Sequence, residues 1–192
     1  MSEAWRALAA EVSGCRACVE LAQCRQKVVV GEPPTGTRTR TLALVGEAPG
    51  AAEDAAGRPF VGKAGQLLDQ LLNDAALDRS EAAVLNVLKC RPPGNRTPRA
   101  DELARCRPYL ERQLALLAPT LVVALGLTAV TWFLGPTRLA AARGRVHLVA
   151  GLPVLATYHP SAAIRFGPAG APMAALRDDL ALAAKLLAGV GT

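Results

Sequence analysis

A chain of 192 residues with 51% apolar side chains has the material for one domain, 1–192, around a sizeable core, and no apolar run approaches membrane-spanning length. The formal charge of +6 and the pI of about 9.4 call for an anionic partner without saying which. The segment from Met1 to Ser13 carries Glu3, Arg6 and Glu11 and lacks the apolar stretch of a signal peptide, so a cytoplasmic protein is expected.

In chain order, residues 3–25 read as a helix interrupted at Gly14, with Cys15-Arg16-Ala17-Cys18 at the break and Cys24 behind it. Residues 31–40, GEPPTGTRTR, form a loop. A buried strand spans 41–45 and ends at Gly46, which opens the tight turn Gly46-Glu47-Ala48-Pro49-Gly50. The acidic pair Glu53-Asp54 follows, then Gly57-Arg58-Pro59-Phe60-Val61-Gly62. An aromatic between glycines and beside a proline suits an exposed stacking platform. Residues 63–76 place Leu67, Leu68, Leu71 and Leu72 on one helix face. A second strand spans 82–88, with Asn86 near its end. A Pro- and Arg-rich loop (89–99) leads into a helix over 100–117. Residues 120–125 form a third strand closed by Gly126, and a helix follows through Phe133. Arg145–Val149 and Pro153–Thr157 read as two more strands. His159-Pro160-Ser161 comes next, and 172–188 make a closing helix.

Strands alternating with helices predict a mainly parallel sheet covered on both faces. Ligands bind such sheets at the carboxyl ends of the strands. Gly46-Glu47, Asn86 and His159 all fall there, although they are far apart in sequence.

Charge is uneven. From Lys89 to Arg107 six basic residues face two acidic ones, giving +4 of the net +6. The bland reading is a solvated loop and helix face; the sharper one is a phosphate-contacting surface. Five cysteines occur: Cys15, Cys18, Cys24, Cys90 and Cys106. A cytosolic setting argues against disulfides. Cys15-x2-Cys18 has metal-ligand spacing, and Cys90 and Cys106 bracket the basic loop. Four such thiolates could bind zinc or an iron–sulfur cluster, although a second CxxC knuckle is lacking. Cys24 reads as a small buried hydrophobe. Gly57 to Ala64 nearly matches a P-loop. It ends in Ala where a magnesium-binding hydroxyl is required, no strand directly precedes it, and Pro59 has no N–H to offer a phosphate. Nucleotide hydrolysis is therefore set aside. His147 reads as a satisfied structural histidine.

Taken together, Gly46-Glu47-Ala48-Pro49-Gly50-x-x-Glu53-Asp54, the Gly57 to Gly65 segment, Asn86-x-x-Lys89-Cys90-Arg91-Pro92-Pro93 and His159-Pro160 resemble a family 4 uracil-DNA glycosylase from Cys15 to about Arg165. The resemblance implies an α/β/α sandwich around a four-stranded parallel sheet. It implies a 4Fe–4S cluster on Cys15, Cys18, Cys90 and Cys106, and removal of uracil from DNA by base flipping. Phe60 would stack on the base, Asn86 would pair with its polar edge, and the backbone near Gly46, Glu47 and Ala48 would contact it. His159 would donate to uracil O2 as negative charge builds there. Segment 159–165 resembles a loop entering the minor groove, with Ile164 filling the vacated stack and Arg165 on a phosphate. Arg91, Arg96 and Arg99 are the expected phosphate contacts. Ala48 stands where the wider superfamily carries a water-orienting Asp, which leaves Glu47 and Glu53 as candidates. The short 92–98 loop has no His, which argues against covalent capture of the sugar. The alternative is an iron–sulfur module that grips damaged DNA without cutting it. A monomer is expected, and a contact with the replication clamp is not legible in the residues.

Overall fold

The computed structural model describes residues 2–36 and 41–189, so the end of the 31–40 loop lies outside the described residues. Its elements are α1 (Glu3–Ser13), α2 (Val19–Cys24), β1 (Leu42–Gly46), α3 (Ala51–Ala56), α4 (Lys63–Asp74), β2 (Ala82–Asn86), α5 (Ala100–Leu117), β3 (Leu121–Leu125), α6 (Leu127–Leu134), α7 (Leu139–Ala142), β4 (Val146–Val149), β5 (Leu152–Thr157), α8 (Pro160–Phe166) and α9 (Ala171–Ala188). The sheet order is β2-β1-β3-β5-β4. Strands β2, β1, β3 and β5 run parallel, as expected, and β4 adds an antiparallel edge to β5. None of the helices of the described residues is long and apolar enough to cross a membrane.

Strands β1, β2 and β3 are buried along their whole length, because helices cover both faces of the sheet. Alternate residues therefore serve separate cores. Leu42, Leu44, Val84, Val123 and Leu155 pack against Leu68 and Leu72 of α4 and Leu176 and Leu180 of α9. Ala43, Val45, Leu85, Val122 and Ala156 pack against Trp5 of α1, Leu110 and Leu114 of α5, and Val130 of α6. A fully buried leucine contributes about 1.5–3 kcal/mol, so these two layers hold the sandwich together. A third, smaller core joins Leu21 of α2 to Leu88, Cys90 and Cys106.

The short helices α3, α7 and α8 were not expected. The acidic pair lies within α3, where Asp54 is buried and its Oδ1 accepts from the Gln26 and Lys27 N–H groups at 3.0 and 3.3 Å. The segment after His159 is not a loop but α8, with Pro160 at its first position, where a missing N–H costs nothing. Strand β2 stops at Asn86. There Val87 N–H turns to the Gly46 carbonyl and Leu88 N–H to the Glu47 carbonyl, at 2.9 and 3.0 Å. That crossover ties the ends of β1 and β2 together.

Candidate active site and cysteine centre

The parallel register sets Gly46 beside Asn86, and Leu125 beside Thr157, so the strand ends form one rim. Above that rim lies a cleft of about 520 Å³ lined by Glu47, Ala48, Glu53, Phe60, Asn86 and His159, among others. Four separate stretches of sequence thus meet in one concave site of ligand size.

Gly46 is the floor. A Cβ there would stand 2.6 Å from Phe60 Cζ and 2.6 Å from Asn86 Oδ1, so only glycine admits both side chains. Phe60 is not the exposed platform expected: it is 6% exposed, with its ring centroid 5.6 Å from that of His159 and tilted by 30°. Its φ is +52°, a left-handed conformation rare for a bulky residue. The surrounding structure enforces it. Glu53 Oε1 accepts the N–H groups of Val61 and Gly62 at 2.9 and 2.8 Å, and its Oε2 accepts that of Gly50 at 3.1 Å. From the other side Arg79 donates to the carbonyls of Pro59 and Phe60 at 2.8 and 3.2 Å. Gly65 lets α4 pass beneath, since a Cβ there would lie 1.8 Å from the Phe60 carbonyl oxygen. Both Glu53 oxygens therefore work as a loop clamp.

Glu47 differs. Its Oε2 accepts the Thr128 hydroxyl from the first turn of α6. Asn86 is buried, and its carbonyl accepts from Lys89 Nζ at 2.8 Å. That ammonium also donates to Gln113 Oε1 at 2.5 Å. Burial lowers Lys89 to about 8.

His159 caps α8 with its Nδ1, which accepts the Ser161 N–H at 3.2 Å and lies 2.8 Å from Ser161 Oγ. Its pKa falls to about 4, chiefly through desolvation, with the nearby Glu53 charge opposing. The ring is thus neutral near pH 7. With Nδ1 accepting, the proton sits on Nε2, which is left as a donor. His147, read as structural, lies 2.8 Å from the Ala142 carbonyl through Nε2.

Of the expected phosphate contacts, Arg91 Nε donates to Asn95 Oδ1 at 2.7 Å. Arg96 reaches the cleft wall, but its guanidinium is forked onto Glu102 at 2.6 and 2.9 Å and touches Glu20 at 3.2 Å. Arg99 pairs with Glu20 at 2.6 Å. On α8, Ile164 and Phe166 are exposed by 46% and 65%, on either side of the exposed Arg165. Phe166, Arg79 and Thr128 are the residues the sequence reading missed. Thr128 had a signal, because it follows the end of a parallel strand; Arg79 had none.

Away from the cleft, Cys15, Cys18, Cys90 and Cys106 line a single small cavity with Val12, Leu88 and Tyr109. Cys24 is exposed and outside it, contrary to the expectation of a buried residue. Burial pushes the Cys18 and Cys90 thiols up and Cys106 to about 11. Arg25 donates to Cys90 Sγ at 3.0 Å and to the Cys15 carbonyl at 2.5 Å. Hydrogen bonds from a cation to sulfur are the outer-shell support that thiolate–metal centres use. Among the described residues no three His, Cys, Asp or Glu side chains are grouped to hold a single ion; the four cysteines come together as part of the lining of this one cavity. An all-cysteine donor set is the kind that iron–sulfur clusters use, and Arg25, Lys89 and Arg105 also line the cavity, where cations suit thiolates.

Residues 33–181 match the family model described as the Uracil DNA glycosylase superfamily. The chain is 41% identical over 157 residues to a Type-4 uracil-DNA glycosylase of Thermotoga maritima, across 80% of each chain. It is 41% identical over 163 residues to one of Pyrobaculum aerophilum, across 80% of this chain and 81% of that one. It is also 31% identical over 221 residues to a Type-5 uracil-DNA glycosylase of Mycobacterium leprae, across 95% of both.

Proposed function

The chain belongs to the uracil DNA glycosylase superfamily, and we propose that it acts as a type-4 enzyme that removes uracil from DNA by hydrolysis. The observation that carries this is the meeting of Glu47, Phe60, Asn86 and His159 in one cleft at the strand ends. A uracil in a duplex is out of reach, so the nucleotide is flipped into the cleft. Phe60, held rigid, offers its face to the ring, and the Asn86 amide, donor and acceptor at once, meets the polar edge of the base. As the bond between C1′ and N1 breaks, its electrons move onto the base and charge gathers on O2. The neutral His159 donates from Nε2 to that oxygen, which favours the departing base over the bound one. Water adds to C1′ and loses its proton to a carboxylate; the products are free uracil and an abasic sugar. With Glu53 engaged by three backbone N–H groups, Glu47 is that carboxylate.

The four cavity cysteines would hold a 4Fe–4S cluster, whose contribution when bound is a covalent cross-link between the α1–α2 turn, the β2 exit and α5. This chain's own residues do the chemistry. The enzyme works on uracil-containing DNA as a monomer, with Arg91, Ile164 and Arg165 on the DNA side.

The test is release of uracil from a labelled oligonucleotide, with iron measured on the same anaerobically purified sample. Cleavage by a brown, iron-bearing protein is expected. Binding of uracil DNA without release would point to the non-catalytic module, and stoichiometric zinc without iron would remove the cluster.

A further inference from the structure

The turn Gly126-Leu127-Thr128 at the end of β3 lies outside every motif that carries the family resemblance, yet it touches two groups of the cleft. Gly126 N–H donates to the Thr157 carbonyl at 2.9 Å, binding the exit of β3 to that of β5. A Cβ on Gly126 would stand 2.9 Å from His159 Cβ, and its φ of +88° favours glycine in any case. Two residues on, the Thr128 hydroxyl donates to Glu47 Oε2. The turn therefore sets His159 and Glu47 relative to one another.

The two cleft carboxylates are not equivalent. Glu53 has both oxygens engaged by backbone N–H groups. Glu47 has one oxygen engaged by a side chain, and among the described residues Oε1 has no hydrogen-bond donor. A carboxylate with one oxygen fixed and one open to the cleft can take up a proton at a set position. A freely rotating one would lose that orientation, and misplacement on the scale of 1 Å costs about 100-fold in rate.

We propose that Thr128 is a positioning residue for the hydrolysis, holding Glu47 by Oε2 so that Oε1 takes the proton of the attacking water. The balance is simple: the water oxygen bonds to C1′, the bond from C1′ to N1 breaks with its electron pair going to uracil, and the water proton passes to Glu47 and then to solvent. This inference rests on the glycosylase reading.

The experiment compares single-turnover uracil release by the wild-type protein, Thr128→Val, Thr128→Ser, Glu47→Gln and the Thr128→Val/Glu47→Gln double variant, each with a melting curve and a uracil-DNA titration. Thr128→Val should be about 10- to 100-fold slower with DNA affinity unchanged. Thr128→Ser, which keeps the hydroxyl, should recover most of the rate. The double variant should be no slower than Glu47→Gln alone, since the hydroxyl acts only through that carboxylate. If the valine variant melts early, Thr128→Ala takes its place. A wild-type rate in Thr128→Val or Thr128→Ala, equal damage from the serine, or losses that multiply in the double variant would overturn the inference. A wild-type protein that releases no uracil would sink the glycosylase reading itself, and this inference with it.

Discussion

His159 carries its proton on Nε2, because Nδ1 is already committed to accepting the Ser161 N–H at the cap of α8. A purely structural histidine would show that cap and nothing else, so the two roles can be separated. Removing one donor to a developing oxyanion costs about 100- to 1000-fold in rate, or roughly 3–4 kcal/mol, whereas losing a cap costs about 1 kcal/mol of stability. His159→Ala should therefore remain folded, bind uracil DNA and cleave it far more slowly; near-normal single-turnover cleavage with only a lower Tm would leave the histidine a cap. Its depressed pKa adds a pH signature. The unfolded chain takes up a proton near pH 6.5 that the folded ring refuses until about pH 4. This penalty on folding is absent above pH 6.5 and grows as pH falls through that window. Between pH 6.5 and 4.5 the wild-type Tm should fall more steeply than that of His159→Ala; parallel curves would contradict the desolvated, neutral ring.

At the scale of elements, the cleft is built by backbone close approach as much as by side chains. Gly46→Ala tests this: its methyl group would overlap Phe60 and Asn86 together. Overpacking of this kind costs about 1–3 kcal/mol, so the variant should fold with a lowered Tm. Uracil release should show a raised KM as well as a lower kcat, because both groups proposed to meet the base move; unchanged kinetics would mean that neither touches it. The long elements were legible in the sequence because their burial is repetitive. The all-apolar strands β1 and β3 announce themselves as short runs closed by glycine, and the leucine stripe of α4 by its period. The short helices α3 and α8 were not, since one or two polar turns beside Gly or Pro look like loop. The meeting of Glu47, Asn86 and His159 was legible because the topology sends the strand ends to one rim. The exposure of Phe60 was misjudged because its strained backbone is held by Arg79 and Glu53, contacts between elements that no local pattern encodes.

Across the whole molecule, the cysteine centre and the cleft are joined by the same basic stretch that gives the chain its charge. Local charge there implies phosphate contacts, but pairing divides the arginines into two kinds. Arg96 is forked onto Glu102, whose side chain is 4% exposed, and both Arg96 and Arg99 reach Glu20 on α2. This network fastens the wall of the cleft to the helix that follows Cys18. Its carboxylates take up much of the positive charge of the 96–99 segment. The Arg96 pairing holds the Glu102 carboxyl below the usual carboxylate range. Among the described residues the side-chain partner of Arg91 is the neutral Asn95, so no carboxylate offsets its charge. The two variants should therefore fail differently. Arg91→Ala should weaken binding to uracil and uracil-free DNA alike and lower the salt slope by about one contact, with Tm unchanged. Arg96→Ala leaves a buried carboxylate without its partner, at a cost of about 1–3 kcal/mol, so its Tm should drop and its iron content should fall with it. Salt titrations of DNA binding, melting curves and iron analysis on both proteins decide the matter. A stable, iron-replete Arg96→Ala with a flattened salt slope would return Arg96 to the phosphate-binding surface.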